Sequence, residues 1–206
     1  MALPQSRFFE EKSIMISSIE NICAKYKDKI EKVWHVLSID KITLLSDELL
    51  NCWLKRNTVF ICGNGGSSAN ANHLANDLIY GINPSGRGMN VHSLCANSAI
   101  NLCLANDVGY ENVFSHQLRS LGKEGDLLLV FSGSGNSPNV VQAINEAKTL
   151  GITSYAMLGF DGGKCLKLAD NTIHFKINDM QISEDFQMII GHILMKELMK
   201  RISEIQ

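Results

Sequence analysis

The stretch VFICGNGGSSANANHLANDLIY, Val59 to Tyr80, sets the fold class. Its first four residues, Val59 to Cys62, are all apolar, so they read as a strand buried on both faces rather than one with a wet side. Gly63, Gly65 and Gly66 break that run, and from Ser67 to Tyr80 the apolar residues return at helical spacing. Strand, glycine turn and helix in that order open a right-handed crossover to a parallel strand. The turn has two readings. Its amides and the free donors of the helix's first turn converge on an anion site, or it is only a tight turn with Ser67 or Ser68 as the helix cap. A nucleotide cradle fits poorly. The dinucleotide fingerprint needs a glycine where Ser68 stands and an acid near Gly81 to Asn83, and no GK[ST] follows for a P-loop.

The same grammar repeats downstream. Strand-like runs cover Thr58 to Cys62, Asn90 to Leu94, Asp126 to Ser132, Ser154 to Gly159 and Thr172 to Ile177. Helical segments lie between them at Ser67 to Tyr80, Asn97 to Ala105, Val113 to Leu121 and Pro138 to Leu150. A closing helix runs from Ser183 to about Arg201, with Ser183 and Glu184 suited to its first turn. The alternation predicts an α/β fold whose parallel sheet is covered by helices on both faces. Ahead of it, residues 1–57 form a helical arm of two helices with a stripe that includes Ile14, Ile16, Ile19, Val33, Leu45 and Leu49. Residues 58–206 make the α/β part, and the two act as one structural unit. The stripe packs either on its own domain or on a partner subunit.

A chain of 206 residues, 45% hydrophobic and 19% charged, has enough apolar material for one sizeable core. A net charge of −2 supplies no global basic field, which argues against nucleic acid or an anionic membrane as partner. The six cysteines form no CxxC pair and mostly sit in apolar runs, as buried thiols in a reducing compartment do. Met1 to Phe9 has no basic start followed by a long apolar stretch, and no run is long enough to span a membrane. The cytoplasm is therefore the expected location.

A second glycine- and serine-rich turn, SGSGNSPNVV from Ser132 to Val141, again ends a strand and enters a helix, with Pro138 at the helix start. Two such turns at the carboxyl ends of parallel strands lie where open α/β sheets bind ligands. The hydroxyls of Ser132, Ser134 and Ser137, with nearby amides, suit a phosphate held without a lysine.

Taken together, CGNGGSSANANHLANDL (Cys62 to Leu78), NDVGYENVFSHQLRSLGKEGDLLLVFSGSGNSPNVVQAI (Asn106 to Ile144), DGGK (Asp161 to Lys164) and EDFQMIIGHIL (Glu184 to Leu194) resemble a sugar isomerase (SIS) domain of the phosphoheptose isomerase type. The resemblance implies a three-layer, flavodoxin-like parallel sheet assembled as a homotetramer, with sites between subunits. It implies conversion of sedoheptulose 7-phosphate into D-glycero-D-manno-heptose 7-phosphate for bacterial surface heptose, with no nucleotide. It also implies a substrate site of Asn64, Gly65, Gly66, Ser67, Asp107, Ser132, Gly133, Ser134 and Ser137, in which Ser67, Ser132, Ser134 and Ser137 hold the phosphate.

Ketose–aldose interconversion needs a base, an acid and a stabiliser for the enediolate. His73 and Asp77 stand four apart on one helix face. By the resemblance, His73, Asp77, Glu184 and His192 occupy positions that hold one zinc ion per subunit in some members, with Asp77, Glu184 and His192 as the catalytic set. Where the family carries Glu and Gln this chain has Asp77 and Glu184, and where it carries Arg and Asp this chain has Gly81 and Gln181. Asp reaches on the order of 1 Å less far than Glu, a misplacement that costs about a hundredfold in rate, so the base role shifts toward Glu184. Two carboxylates and two imidazoles favour a divalent cation; without one, the carboxylates repel and one takes up a proton. Arg87 is the nearest candidate to replace the missing arginine. His35, His92, His116 and His174 have no partner pattern and read as structural.

Overall fold

The computed structural model describes residues 5–205, with side chains from residue 18 onward; the side chains of Ile14 and Ile16 lie outside that range. The chain divides into two compact units, residues 1–36 and 37–206. The first is a single helix, α1 (Gln5–Val36), with an exposed Lys27–Glu31 ion pair of 3.5 Å one turn apart.

The second unit opens with α2 (Ile39–Lys55), which ends where Arg56 turns left-handed at φ 59° and its N–H closes on the Cys52 carbonyl. Five strands follow: β1 (Thr58–Gly63), β2 (Asn90–Ser93), β3 (Leu127–Ser132), β4 (Thr153–Leu158) and β5 (Asn171–His174). All pair in parallel, in the order β2-β1-β3-β4-β5. That is the flavodoxin-like order, whose direction of winding reverses between β1 and β3. The β1–β3 register sets Gly63 opposite Phe131, so the two glycine–serine turns leave the sheet side by side.

The helices between strands are α3 (Gly66–Asn76), α4 (Ser98–Asp107), α5 (Val113–Leu121), α6 (Pro138–Thr149), a single turn α7 (Cys165–Leu168), and the long α8 (Met180–Ile205). Helices α4 to α7 cover one face, where Phe60, Leu128, Val130, Leu118 and Ile144 pack together. Helices α2, α3 and α8 cover the other, with Leu45, Leu49, Leu74, Phe186 and Leu194 fully buried. Each such side chain contributes about 1.5–3 kcal/mol relative to exposure. Strands β1 and β3 are buried along their whole length, as expected of a parallel sheet covered on both sides.

Three local expectations need correction. The closing helix starts at Met180, because Asp179 accepts a hydrogen bond from Ile182 N–H (3.2 Å) and caps it; Ser183 instead bonds back to the Asp179 carbonyl at 2.7 Å. Neither Ser67 nor Ser68 caps α3, since Gly65 at φ 55° holds that place. The helix after the first turn is not uniform: α3 passes into a π-helical turn, Asp77–Gly81, where Ile82 N–H reaches back five residues to the Asp77 carbonyl.

Candidate active site

The first turn is tight because backbone closes on it from two sides. A Cβ at Gly63 would lie 2.8 Å from the Ser67 carbonyl and 2.9 Å from that of Phe131. Asn64 then reaches across to the second turn. Its amide and that of Asn139, at the start of α6, exchange hydrogen bonds of 2.8 Å each way, and Tyr110 donates its hydroxyl to Asn64 Oδ1, also at 2.8 Å. The two turns are thereby one structure.

In the second turn Ser132 Oγ accepts from Gly135 N–H (3.0 Å) and Ser134 Oγ from Asn136 N–H (3.3 Å), so both hydroxyl protons are left to point at a ligand. Ser137 begins α6 and makes no side-chain cap. The DGGK run braces this turn from behind. Asn136 Oδ1 accepts from Lys164 N–H (3.1 Å), Cys165 N–H donates to the Gly135 carbonyl (3.0 Å), and a Cβ at Gly163 would lie 2.5 Å from the Ser134 carbonyl. Gly133 lies under the Met180 thioether with no room for a side chain.

Ser67 is buried at the start of α3 and its hydroxyl accepts from Gln187 of α8 (3.1 Å). Asn70 continues the link, donating to Gln187 Oε1 and to the Glu184 carbonyl at 2.9 Å each. These bonds fix α8 against the first turn of α3. They bring the Glu184 carboxylate directly over Gly66, where any Cβ would overlap it. A carboxylate there faces the positive end of α3.

One turn further along both helices, His73, Asp77 and His192 meet. His73 Nε2 lies 3.1 Å from His192 Nε2, and Asp77 Oδ2 lies 3.5 Å from the first and 3.7 Å from the second. The rings meet edge to face, centroids 5.2 Å apart. Asp77 Oδ2 is buried and accepts no hydrogen bond. Three electron-pair donors at such separations need a cation among them. A zinc ion with bonds of about 2.0–2.1 Å to tetrahedral ligands sets neighbouring donors about 3.3 Å apart, so the donor set and its spacing fit that ion. Glu184 stands outside this cluster. It is two turns before His192 on α8, on the order of 12 Å of rise, and its side chain turns to Gly66 instead. The two carboxylates therefore occupy separate places.

The remaining sequence candidates lie further out. Asp107 is exposed; it accepts from Asn106 (2.7 Å) and from the Cys103 thiol (3.5 Å), which pushes the Cys103 pKa up. Gly81 abuts Met195, and Gln181 is exposed. Arg87 does not enter the cluster; its guanidinium stacks 4.3 Å over the Trp53 ring, whose N–H donates to the Arg87 carbonyl at 2.9 Å. The most capacious cavity, about 760 Å³, lies elsewhere, along edge strand β2 between α3 and α5, and includes neither the serines nor the cluster. Sequence reasoning missed Asn139, Tyr110 and Gln187. Only Asn139 carried a signal, a buried amide in the first turn after Pro138 that no helical stripe calls for.

The SIS domain family model matches residues 24–159. The phosphoheptose isomerase of Nitratiruptor sp. is 32% identical over 180 residues, 87% of this chain and 96% of that protein. That of Cytophaga hutchinsonii is 39% identical over 162 residues, 79% and 83% of the two chains. The structure of phosphoheptose isomerase GmhA from Neisseria gonorrhoeae superposes with a TM-score of 0.80 at 26% identity, covering 87% of this chain and 97% of that one. With this sheet order, these two braced turns and relatives matched over nearly their full length, the chain belongs to the phosphoheptose isomerase family of SIS-domain proteins, a family of sugar-phosphate isomerases.

Proposed function

We propose that the chain converts sedoheptulose 7-phosphate into D-glycero-D-manno-heptose 7-phosphate through an enediol, for bacterial surface heptose. The observation that carries this reading is the cluster of His73, Asp77 and His192 on the same two helices that hold Ser67 and Glu184. The phosphate sits among Ser67, Ser132, Ser134 and Ser137, with Asn64 and the amides of Gly65, Gly66 and Gly133 around it and Asp107 at the sugar hydroxyls. Anchored there, the reacting carbons are positioned by binding energy from the far end of the substrate.

Zinc, when bound, takes His73 Nε2, Asp77 Oδ2 and His192 Nε2 as ligands and supplies Lewis-acid polarisation of the substrate's oxygens.

Residues 1–57 and 58–206 act as one structural unit in a cytoplasmic homotetramer. Contact of α2 with α8 supports this for the second arm helix, and exposed Ile79, Tyr80, Leu102 and Tyr110 support subunit association. No helix among the described residues is long and apolar enough to cross a membrane. A different ketose phosphate is the second reading, favoured by Gly81 and Gln181, which offer the sugar neither charge. The test is NMR of purified protein with sedoheptulose 7-phosphate, with and without zinc, beside pentulose and hexulose phosphates. Appearance of the heptose aldose supports the assignment. Turnover of another ketose phosphate moves it to the second reading, and binding without turnover of any makes the chain a binding module.

A further inference from the structure

Three described non-glycine residues adopt a left-handed backbone: Arg56, Phe160 and Lys176. Arg56 ends a helix, where such a conformation is common. The other two, at φ 44° and 52°, line one cavity of about 530 Å³ with Ser134, Asn136, Asp161 and Asn178. An L side chain enters that region only at a cost, and such residues persist where their surroundings over-determine them. Here the surroundings are visible. Phe160 N–H donates to the Ile177 carbonyl and the Phe160 carbonyl accepts from His174 Nε2, both at 2.9 Å, so the two bonds bracket Lys176 on either side. The strain also ends β5 at His174, three residues before the apolar pattern predicts.

Lys176 brings the only cation to this cavity, and its ammonium has no carboxylate within ion-pair distance among the described residues. Asp161, the one acid in the lining, accepts from Gly163 N–H at 3.1 Å. The cavity shares Ser134 and Asn136 with the second turn, whose own donors are all neutral. A phosphate dianion held only by hydroxyls and amides keeps its charge uncompensated.

We propose that Lys176 is a substrate-binding residue for the anionic end of the sugar phosphate, its ammonium carried to the open side of the serine cradle by the strained backbone. This rests on the sugar-phosphate reading of the site. It gives the strain a use. At position 176 glycine relieves the backbone and removes the charge together, so fold stability and ligand affinity move in opposite directions.

The test is calorimetric titration of the full chain with sedoheptulose 7-phosphate and, separately, inorganic phosphate, alongside thermal unfolding. Lys176→Gly and Lys176→Asn, both compatible with the left-handed conformation, are expected to weaken binding about tenfold with Tm unchanged or raised, and Lys176→Arg to restore it. Wild-type affinity should also fall more steeply with salt than that of Lys176→Asn. Equal binding by wild type and both neutral variants, with Ser134→Ala still impaired, overturns the role of Lys176 and leaves the cradle standing. Loss of binding together with a drop in Tm makes the residue structural and overturns the proposal too. Failure of the wild type to bind either ligand overturns the sugar-phosphate reading itself, and Lys176 with it.

Discussion

Asn64 and Asn139 bond to each other twice, amide to amide, at 2.8 Å, and so tie the turn after β1 to the helix that follows the turn after β3. Asn139 is fully buried and its Oδ1 also accepts from Val140 N–H at 3.0 Å. Asn139→Ala removes a buried partner and strands the Asn64 amide. We expect a loss of about 1–3 kcal/mol in urea unfolding. Affinity for the sugar phosphate should fall in the same variant, because the two halves of the cradle are no longer held in register.

Gly66→Ala tests the placement of Glu184. The new methyl group overlaps the carboxylate, and the flexible glutamate is the partner that yields. A displacement of about 1 Å at the reacting centre is expected to lower kcat about a hundredfold. Because α3 accepts alanine readily, Tm should hold or rise slightly. A kcat within twofold of wild type would remove Glu184 from the base role.

Asp77→Asn separates the cation site from the fold. It keeps the side-chain shape and deletes the charge that the buried, unbonded Oδ2 carries. Zinc affinity, measured by competition with a chelating dye, should drop at least about tenfold, since one of three ligands loses its anionic character. Unfolding of the metal-free protein should be unaffected or shift upward, because an unpaired buried charge is removed.

Acid stability has one identifiable contributor. Arg119 grips Glu146 with two bonds, Nε to Oε1 at 3.0 Å and Nη2 to Oε2 at 2.6 Å, and holds the Glu146 carboxyl below its ordinary pKa. A lowered folded-state pKa gives stability that is present above the unfolded value and lost as pH falls through the folded one. Arg119→Ala should therefore lower Tm at pH 7 and leave it unchanged well below pH 4, as a pair of thermal scans will show.

Most of the framework was legible because it rests on local rules. Val59 to Cys62 and Leu127 to Phe131 are unbroken apolar runs, and only a doubly covered strand needs such runs. Glycines 63, 65 and 66 marked the first turn. What the residues alone left open was long-range. That Asn64 finds Asn139, that Gln187 finds Ser67, and that Glu184 turns toward Gly66 rather than toward His192 all depend on how α8 docks on α3, which no spacing within one segment encodes. The cap at Asp179 was hidden because Met180 and Gln181 fall before the apolar stripe begins. The π-turn at Asp77–Gly81 kept an ordinary helical spacing of apolar residues.

Helix α8 works as a ruler. Along one rod of 26 residues it sets Glu184 over Gly66, Gln187 on Ser67, His192 beside His73, and Arg201 on Ser46 and Asp47 at 3.2 and 2.8 Å. Each residue advances the rod by about 1.5 Å and rotates it by about 100°. Removing or adding a single residue between 184 and 201 therefore misaligns every later mark at once, whereas exchanging one side chain for another changes one mark and leaves the scale intact. New chemistry can enter this scaffold by substitution at fixed graduations, as the glutamate at 184 illustrates, and scarcely by insertion.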